Sequence, residues 1–450
     1  MQVTPPNPPT AAPEGDAAAS LDAWLAWQET LHARDIELGL ERCRAVATRL
    51  GVLHPTATVI TVAGTNGKGS TVAMLDSIYR EAGYRVATYT SPHLRRYNER
   101  IRLQHEPVDD ATICAAFAAV ERARGTTPLT VFEFGTLAAL HVFSEAAPDI
   151  AILEVGMGGR LDAVNVVDPD LAVIATLDID HVEFLGATRE AIAREKAGIM
   201  RAGKPAVCSD PEAPRSLVEA ARTLGTPLAL LGQAFHYADH GAHWTWWSGA
   251  EVLDALPRPS LHGDYQLRNA SGVLKAVSLL AERHPVTRES LVRALATTEL
   301  PGRFQRSLRD GVEWILDVAH NVQAVDSFVE TVQRLPAAHH THVVLGMLTT
   351  KDRSSVMARL SAVADRWYFA SLDARHGGTA EDLMAIHAGL GRRGKATAHP
   401  SVAAALAAAA SAAKAGERVL VVGSFITVGD AMGWLVARDQ GTLANAARVG

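Results

Sequence analysis

The chain has 450 residues, more than one hydrophobic core ordinarily supports, so two domains are the starting expectation. With 48% hydrophobic and 20% charged residues it reads as globular; a formal net charge of -6 without a Lys/Arg block argues against a nucleic-acid partner and directs any anionic ligand to a local site. Three scattered cysteines, Cys43, Cys114 and Cys208, set aside a disulfide framework and a zinc site and suit a cytoplasmic protein, and no stretch is long and apolar enough for a membrane.

Residues 1–20 are rich in Pro and Ala without a basic start or an apolar signal core, and read as a disordered tail. Leu21 to Leu50 carries helical spacing through Leu21, Trp24 and Leu25 and again through Val46 and Leu50, broken between His32 and Gly39 by a polar interruption. The run TVITVA from Thr58 predicts a buried strand, and Lys68 to Ala82 a helix closed by Gly83. Between them, Gly64, Gly67 and Gly69 allow a tight turn whose N–H groups face an anion, with the helix N-terminus adding a favourable partial charge. The strict GxxxxGK[ST] pattern is not matched, since Gly64 stands three residues before Gly67 and Gly69 separates Lys68 from Ser70. Its parts are nonetheless there: Lys68 to reach terminal phosphates, and Ser70 or Thr71 to offer a hydroxyl to phosphate or magnesium.

Tyr84 to Thr90 completes a βαβ unit. Asp109 to Arg124 and Thr130 to Ala146 are predicted helices, Asp149 to Val155 and Leu171 to Leu177 strands, and Thr188 to Arg201 a helix. This alternation predicts an α/β fold with a P-loop-type, mostly parallel sheet covered on both faces. Phe235 to Leu256 reads as a small antiparallel excursion, Tyr265 to Arg283 as a helix, and Leu300, Pro301 and Gly302 as a boundary. Strands near Trp314 to Val318, His342 to Gly346, Trp367 to Phe369 and Val419 to Gly423 predict a smaller Rossmann-like α/β domain; it lacks GxGxxG after its first strand, so no dinucleotide is implied. The expected division is a tail over 1–20, an ATP-binding domain over 21–300 and a C-terminal domain over 301–450.

Open parallel sheets place ligands at the C-terminal ends of their strands. Ser91, Glu154 and His181 follow or end successive predicted strands and are expected to meet near Ser70, as a hydroxyl, a carboxylate and an imidazole around magnesium. Lys196, read alone, is a solvated lysine paired with a glutamate at helical spacing. Gly156 to Asn165 reads either as a binding loop in which Arg160 forks onto a carboxylate or as a plain turn. In the second domain, Arg303 in PGRFQ and Asp317, His320 and Asn321 in LDVAHN suggest a cleft over nucleotide, or, for His320 and Asn321, a helix cap.

As a set, GTNGKGS (Gly64 to Ser70), TSPHL (Thr90 to Leu94), ERIR (Glu99 to Arg102), FEFGTLAAL (Phe132 to Leu140), ILEVGMGGRLDAVN (Ile152 to Asn165), REKAGIM (Arg194 to Met200), LPGRFQ, LDVAHN and GSF (Gly423 to Phe425) resemble the folylpolyglutamate synthase and dihydrofolate synthase family of the Mur ligase superfamily. The resemblance runs in order from about Ser20 to about Trp434. It implies a ligase in which ATP phosphorylates a substrate carboxylate and the amine of L-glutamate attacks the acyl phosphate, with dihydropteroate and reduced folates as the acids. Implied cofactors are ATP, magnesium at two sites and a monovalent cation. The family's metal ligands fall on Ser91, Glu154 and His181 and its N-carboxylated lysine on Lys196, which displaces the solvated reading. Its ATP contacts fall on Gly64, Thr65, Asn66, Gly67, Lys68, Gly69, Ser70, Asn269, Arg303 and Asp317. Lys68, Lys196 and His320 would be catalytic.

The pterin-side pocket implied by the resemblance takes Glu37, Leu38, Gly39 and Leu40, Thr130, Val131, Phe132 and Glu133, and Leu161, Asp162 and Ala163; glutamate is expected at the domain cleft, with His320 and Ser424. The chain departs from the family pattern at Glu37, where a shorter aspartate is common, and at Val322, where proline is common. The pattern is nearest the bifunctional bacterial form, acting as a monomer without nucleic-acid or membrane partners. The competing readings are a folylpolyglutamate synthase alone and an ATP-hydrolysing regulatory module.

Overall fold

The computed structural model describes residues 12–13, 20–34, 36–391 and 394–449, with side chains described to residue 440, so the expected N-terminal tail lies almost wholly outside the described residues. The chain divides into two units: the first holds described residues up to 93, then 97–260 and 266–298, and the second holds 94–96, 261–265 and those from 299 on. The second unit thus draws in two short segments that a single boundary near residue 300 assigns to the first.

The first unit is built on eight strands: β1 (Thr58–Ala63), β2 (Val86–Tyr89), β3 (Ile101–Leu103), β4 (Glu106–Pro107), β5 (Ile150–Glu154), β6 (Leu171–Ile174), β7 (Ala206–Cys208) and β8 (Leu228–Leu230). Their order is β4-β3-β2-β5-β1-β6-β7-β8, with β2 to β8 parallel and β3 and β4 forming an antiparallel edge. All six residues of β1 are buried, as a central parallel strand requires. Each enclosed Val or Ile contributes about 1.5–3 kcal/mol by leaving water. Val62 faces Glu154, Tyr89 faces Leu153 and Ala63 faces Ile174, so β2, β5, β1 and β6 end level with one another.

Helices α1 (Leu21–Gln28) and α2 (Glu41–Leu50) realise the interrupted helical pattern. They are followed by α3 (Lys68–Glu81), α4 (Asp110–Arg124), α5 (Val131–Ala146), α6 (Val182–Leu185), α7 (Arg189–Ala197), α8 (Arg215–Leu224), α9 (Tyr265–Leu279) and α10 (Arg288–Thr297). Helix α3 stops where Gly83 takes φ +89°, a left-handed conformation that suits glycine. The Phe235–Leu256 excursion is a three-stranded antiparallel sheet, β9 (His236–Asp239), β10 (His243–Ser248) and β11 (Glu251–Pro257), seated on buried Trp244 and Trp246.

The second unit has six strands, β12 (Gln305–Arg309), β13 (Val312–Asp317), β14 (Thr341–Leu345), β15 (Arg366–Ala370), β16 (Lys395–His399) and β17 (Arg418–Val422), ordered β12-β13-β17-β14-β15-β16 and parallel except for β12. The period-2 alternation splits its core in two. Ile315, Val343, Leu420 and Phe369 meet α11 (Val322–Gln333), α12 (Arg353–Leu360) and α13 (Ala380–Gly389), whereas Leu316, Val344, Val421 and Tyr368 meet α14 (Val402–Ala412) and α15 (Phe425–Val449). Helices on both faces make this a doubly wound sheet.

Candidate active site

The turn after β1 has the backbone of an anion cradle. Gly64 takes φ +156° and Gly67 φ +86°, and a Cβ on Gly67 would lie 2.7 Å from Asn269 Oδ1. Gly69, expected in the turn, instead lies within α3. The Thr65 amide donates to Thr176 O at 2.7 Å and its hydroxyl to Asp178 O at 2.9 Å, while the Thr176 hydroxyl donates to Asn66 O at 3.1 Å. These bonds stitch the turn to the end of β6. Lys68 Nζ donates to Gly64 O at 3.0 Å and to Thr65 O at 3.3 Å. From α9, Gln266 Nε2 donates to Ser70 Oγ at 3.2 Å, and Gln266 Oε1 accepts from Asn269 Nδ2 at 3.0 Å. Asn269 Oδ1 and Thr71 Oγ1 are buried acceptors without a hydrogen-bond partner, as suits a surface built for a ligand.

Lys196 corrects its reading as a solvated residue. It is buried, and its Nζ donates to Gly64 O at 2.9 Å, the same carbonyl that Lys68 uses. Burial, reinforced by the nearby Lys68 charge, pushes its ammonium down to about 7, against the opposing pull of Asp180 and Asp162. Helix α7 is aimed by Thr188, whose hydroxyl accepts from Ala191 N at 3.2 Å, and by the Gly156–Asn165 loop. Arg160 does fork onto a carboxylate, but it is the chain's own Glu195, at 3.2 and 2.9 Å. Asn165 Nδ2 donates to both Arg160 O and Gly198 O at 3.0 Å, and a Cβ on Gly159 would stand 2.8 Å from Glu195 O. The predicted continuation of α7 to Arg201 therefore stops at Ala197, because Gly198 lies against the Arg160 backbone.

Ser91 and Glu154 meet directly: the Ser91 amide donates to Glu154 Oε2 at 3.2 Å, and Glu154 is buried at the end of β5. His181 opens α6 with φ +51°, its Nε2 3.9 Å from Asp180 Oδ2. Among the described residues no three or more His, Cys, Asp or Glu side chains form a metal-holding group; the expected set has two of those types and otherwise relies on Ser91 and a modified Lys196.

The pterin-side candidates gather around a residue that the sequence reading passed over. Arg42 donates to Glu37 Oε1 at 2.6 Å, to Glu37 O at 2.9 Å and to Glu133 Oε1 at 3.1 Å. The other Glu133 oxygen closes a capping box with Thr130, at the start of the helix that includes Val131 and Phe132. Gly39 N donates to Leu161 O at 3.3 Å, and Cys43 Sγ reaches Ala163 O at 3.9 Å, bringing the Glu37–Leu40 stretch beside the Leu161–Ala163 turn. Leu38 and Leu40 sit half-buried in that stretch. Asp162 is buried, accepts from the Met157 and Val164 amides at 2.8 and 3.1 Å, and is pushed up to about 6 by desolvation.

In the second unit, Asp317 ends β13, buried, and accepts from Phe304 N at 2.7 Å and Ala319 N at 2.8 Å; desolvation raises its carboxyl, against the pull of Arg303. The Arg303 guanidinium lies 5.0 Å from the Phe425 ring centre and the His320 ring 6.3 Å from it, so the three residues share one end of the sheet with Asp317. Asn321 caps α11 through Ala324 N at 3.0 Å, whereas His320 turns its Nδ1 to Val318 O at 2.8 Å and is not that cap. Ser424 Oγ accepts from Thr427 N at 3.0 Å and braces the start of α15.

Two missed residues left a signal of a kind: Gln266 sits one helical turn before Asn269, and Asp180 precedes His181 in DIDH. Neither can be weighted without knowing which side of α9 or of that loop faces the cradle.

Residues 62–223 match the Mur ligase middle domain and residues 302–425 the Mur ligase, glutamate ligase domain. An Escherichia coli relative named dihydrofolate synthase/folylpolyglutamate synthase is 43% identical over 425 residues, spanning 94% of this chain and 98% of the relative. A solved structure of E. coli FolC in complex with DHPP and ADP superposes with a TM-score of 0.89 at 42% identity, covering 95% of this chain and 100% of that one. A bifunctional folylpolyglutamate synthase/dihydrofolate synthase with Mn, AMPPNP and L-glutamate bound superposes with a TM-score of 0.86 at 40% identity, over 94% of this chain and 100% of that one. With both Mur ligase domains matched in order and relatives of this identity covered end to end, the chain belongs to the dihydrofolate synthase/folylpolyglutamate synthase family of Mur ligases.

Proposed function

We propose that the chain is an ATP-dependent ligase that activates the carboxylate of dihydropteroate, and of reduced folates, as an acyl phosphate and transfers it to the amine of L-glutamate. The observation that carries this reading is the convergence of Lys68 and Lys196 on the Gly64 carbonyl, at the level where β5 delivers Glu154 to Ser91. The bonds balance as follows: a carboxylate oxygen attacks the terminal phosphorus and ADP leaves; the glutamate amine then attacks the acyl carbon, phosphate leaves and the amine sheds its protons.

The residues fit magnesium: the Ser91 hydroxyl, the adjoining Glu154 carboxylate and a carboxylated Lys196 would supply oxygen ligands and His181 a nitrogen. Magnesium, when bound, supplies charge neutralisation on the phosphates. The cradle amides and Lys68 hold the phosphate chain, and Asn269 Oδ1 is left to accept from an N–H or O–H donor of the nucleotide. A lysine held near neutrality at physiological pH has the free amine that adds carbon dioxide, which supports the carbamate assignment. Arg303 and Asp317 are assigned to nucleotide, and His320 and Ser424 to the amino acid. Glu37 to Leu40, Thr130 to Glu133 and Leu161 to Ala163 are assigned to the pterin acid. We place the enzyme in the cytoplasm as a monomer; all three cysteines are buried thiols, and among the described residues no helix is long and apolar enough to cross a membrane.

The test is glutamate-dependent ADP release with purified protein, ATP and magnesium, run with dihydropteroate and separately with tetrahydrofolate, and with mass spectrometry of the product. Both acids are expected to gain one glutamate. Product from tetrahydrofolate alone narrows the activity to polyglutamylation, and ATP hydrolysis without product overturns the ligase reading.

A further inference from the structure

We infer that Arg42 is a positioning residue for the acid substrate, a clasp that holds the Glu37–Leu40 stretch and the Thr130–Glu133 segment in one arrangement. The inference rests on the ligase reading above and extends it to a residue outside both segments. Three bonds from one guanidinium carry it: to Glu37 Oε1 and O, and to Glu133 Oε1. Glu133 is itself buried and divided, with Oε1 on Arg42 and Oε2 on the Thr130 amide and hydroxyl at 2.8 and 3.0 Å. A shift of Arg42 is therefore passed to the first turn of α5, where the Phe132 ring lies against Gly156. On the other side, the same stretch is tied to the Leu161 carbonyl through Gly39 N.

Global stability explains only the part of this arrangement that reaches buried Glu133. The Arg42–Glu37 pair is partly exposed, and such pairs add little to folding. Among the described residues Arg42 Nε is buried without a partner, which costs stability instead of adding to it. What the guanidinium provides is geometry: one nitrogen of its planar fork takes Glu37 Oε1 and the other takes Glu37 O and Glu133 Oε1, a span that the single nitrogen of an ammonium lacks. Glu37 Oε2 has His32 at 3.6 Å and Arg34 at 3.5 Å, so without Arg42 the carboxylate has other partners to follow. With Arg34 and Arg42 set against Glu37 and Glu133, the clasp carries no surplus charge, so it acts by fixing the shape of the two segments and not by attracting the acid.

The experiment is steady-state kinetics of the full chain with Arg42→Met, Arg42→Lys and Glu37→Gln, varying dihydropteroate, ATP and glutamate in turn, with melting temperatures recorded for each. Arg42→Met is expected to raise the KM for dihydropteroate about tenfold, as loss of one or two charge-assisted hydrogen bonds requires. Arg42→Lys and Glu37→Gln should raise it about threefold, since each leaves part of the clasp. In all three, kcat and the KM values for ATP and glutamate should stay within about twofold. Should Arg42→Met fail to fold, the other two variants carry the same split. An unchanged KM for dihydropteroate in an active enzyme overturns this inference alone, as does a parallel fall of every parameter with melting temperature. Absence of product from the wild-type chain overturns the ligase reading and this inference with it.

Discussion

Near the C-terminal ends of their parallel strands, the first unit buries a lysine and the second an aspartate, and burial disfavours the charged form of each. Their surroundings give that shared shift different consequences. Asp317 has two backbone amides to accept from and the Arg303 charge nearby, so its carboxylate serves as a brace between the strand end and the turn at Phe304. Lys196 donates to a carbonyl it shares with a second cation, Lys68, an arrangement that favours the uncharged amine. Matched partners hold a buried group in place, while a like charge beside it readies it for chemistry.

The largest effect that can break this contrast is Lys196→Ala. It should lower ligation at least about a hundredfold, the scale of removing a preorganised electrostatic contribution. Short carboxylic acids added to the assay should restore part of the rate, read as glutamate-dependent ADP release. Full activity of the variant would reduce Lys196 to a structural residue.

Gly67→Ala comes next, because it places a Cβ where φ is +86° and Asn269 Oδ1 is 2.7 Å away. About 1–3 kcal/mol of strain is expected, read as a raised KM for ATP. Gly83→Ala is the control, at φ +89° with nothing within 4 Å, and should leave that KM unchanged.

Asp317→Asn sharpens the other side of the comparison. The amide keeps one acceptor oxygen and turns an NH2 group toward a backbone donor, so the second unit should lose about 1–3 kcal/mol in denaturant unfolding, with little change in Lys196 reactivity.

The most gradual effect is in pH. The Lys196 value is depressed on folding, so its contribution to stability is complete above its ordinary 10.5 and is lost as pH falls through about 7. The Asp317 value is raised, so its contribution is complete below its ordinary 3.8 and is lost as pH rises through the elevated value. Unfolding free energies in buffer free of carbon dioxide should show wild type gaining on Lys196→Met from pH 7 toward 10.5, and losing ground to Asp317→Asn as pH rises out of the acid range. Parallel slopes would mean that the two groups are not opposed.

Periodicity sufficed for most of the fold. Continuous β-branched runs such as TVITVA can only be enclosed strands, and alternation with helices leaves a parallel sheet as the consistent arrangement. Short elements with weaker patterns were not legible: β7, β8 and β16 are 3–5 residues each, and β16 keeps exposed positions, so they declare themselves only by pairing with a neighbour. Local chemistry was equally readable at the cradle, because glycine, lysine and hydroxyl act within one turn of chain. Lys196 was not readable from its own surroundings, since REKAG suits a solvated helix as well as a buried one.

The order of residues by itself determined the βαβ cradle, the doubly wound second sheet and, through its motifs, the family. Only the tertiary structure decided that Lys196 faces Gly64 and that Arg160 spends its fork on Glu195. It also decided that Arg42, while holding Glu37, reaches Glu133 across 91 positions of sequence. The reason is physical: hydrophobic period and turn chemistry act between neighbours in the chain, whereas burial of a charge and the partners it finds there depend on which distant strand ends arrive at the same level.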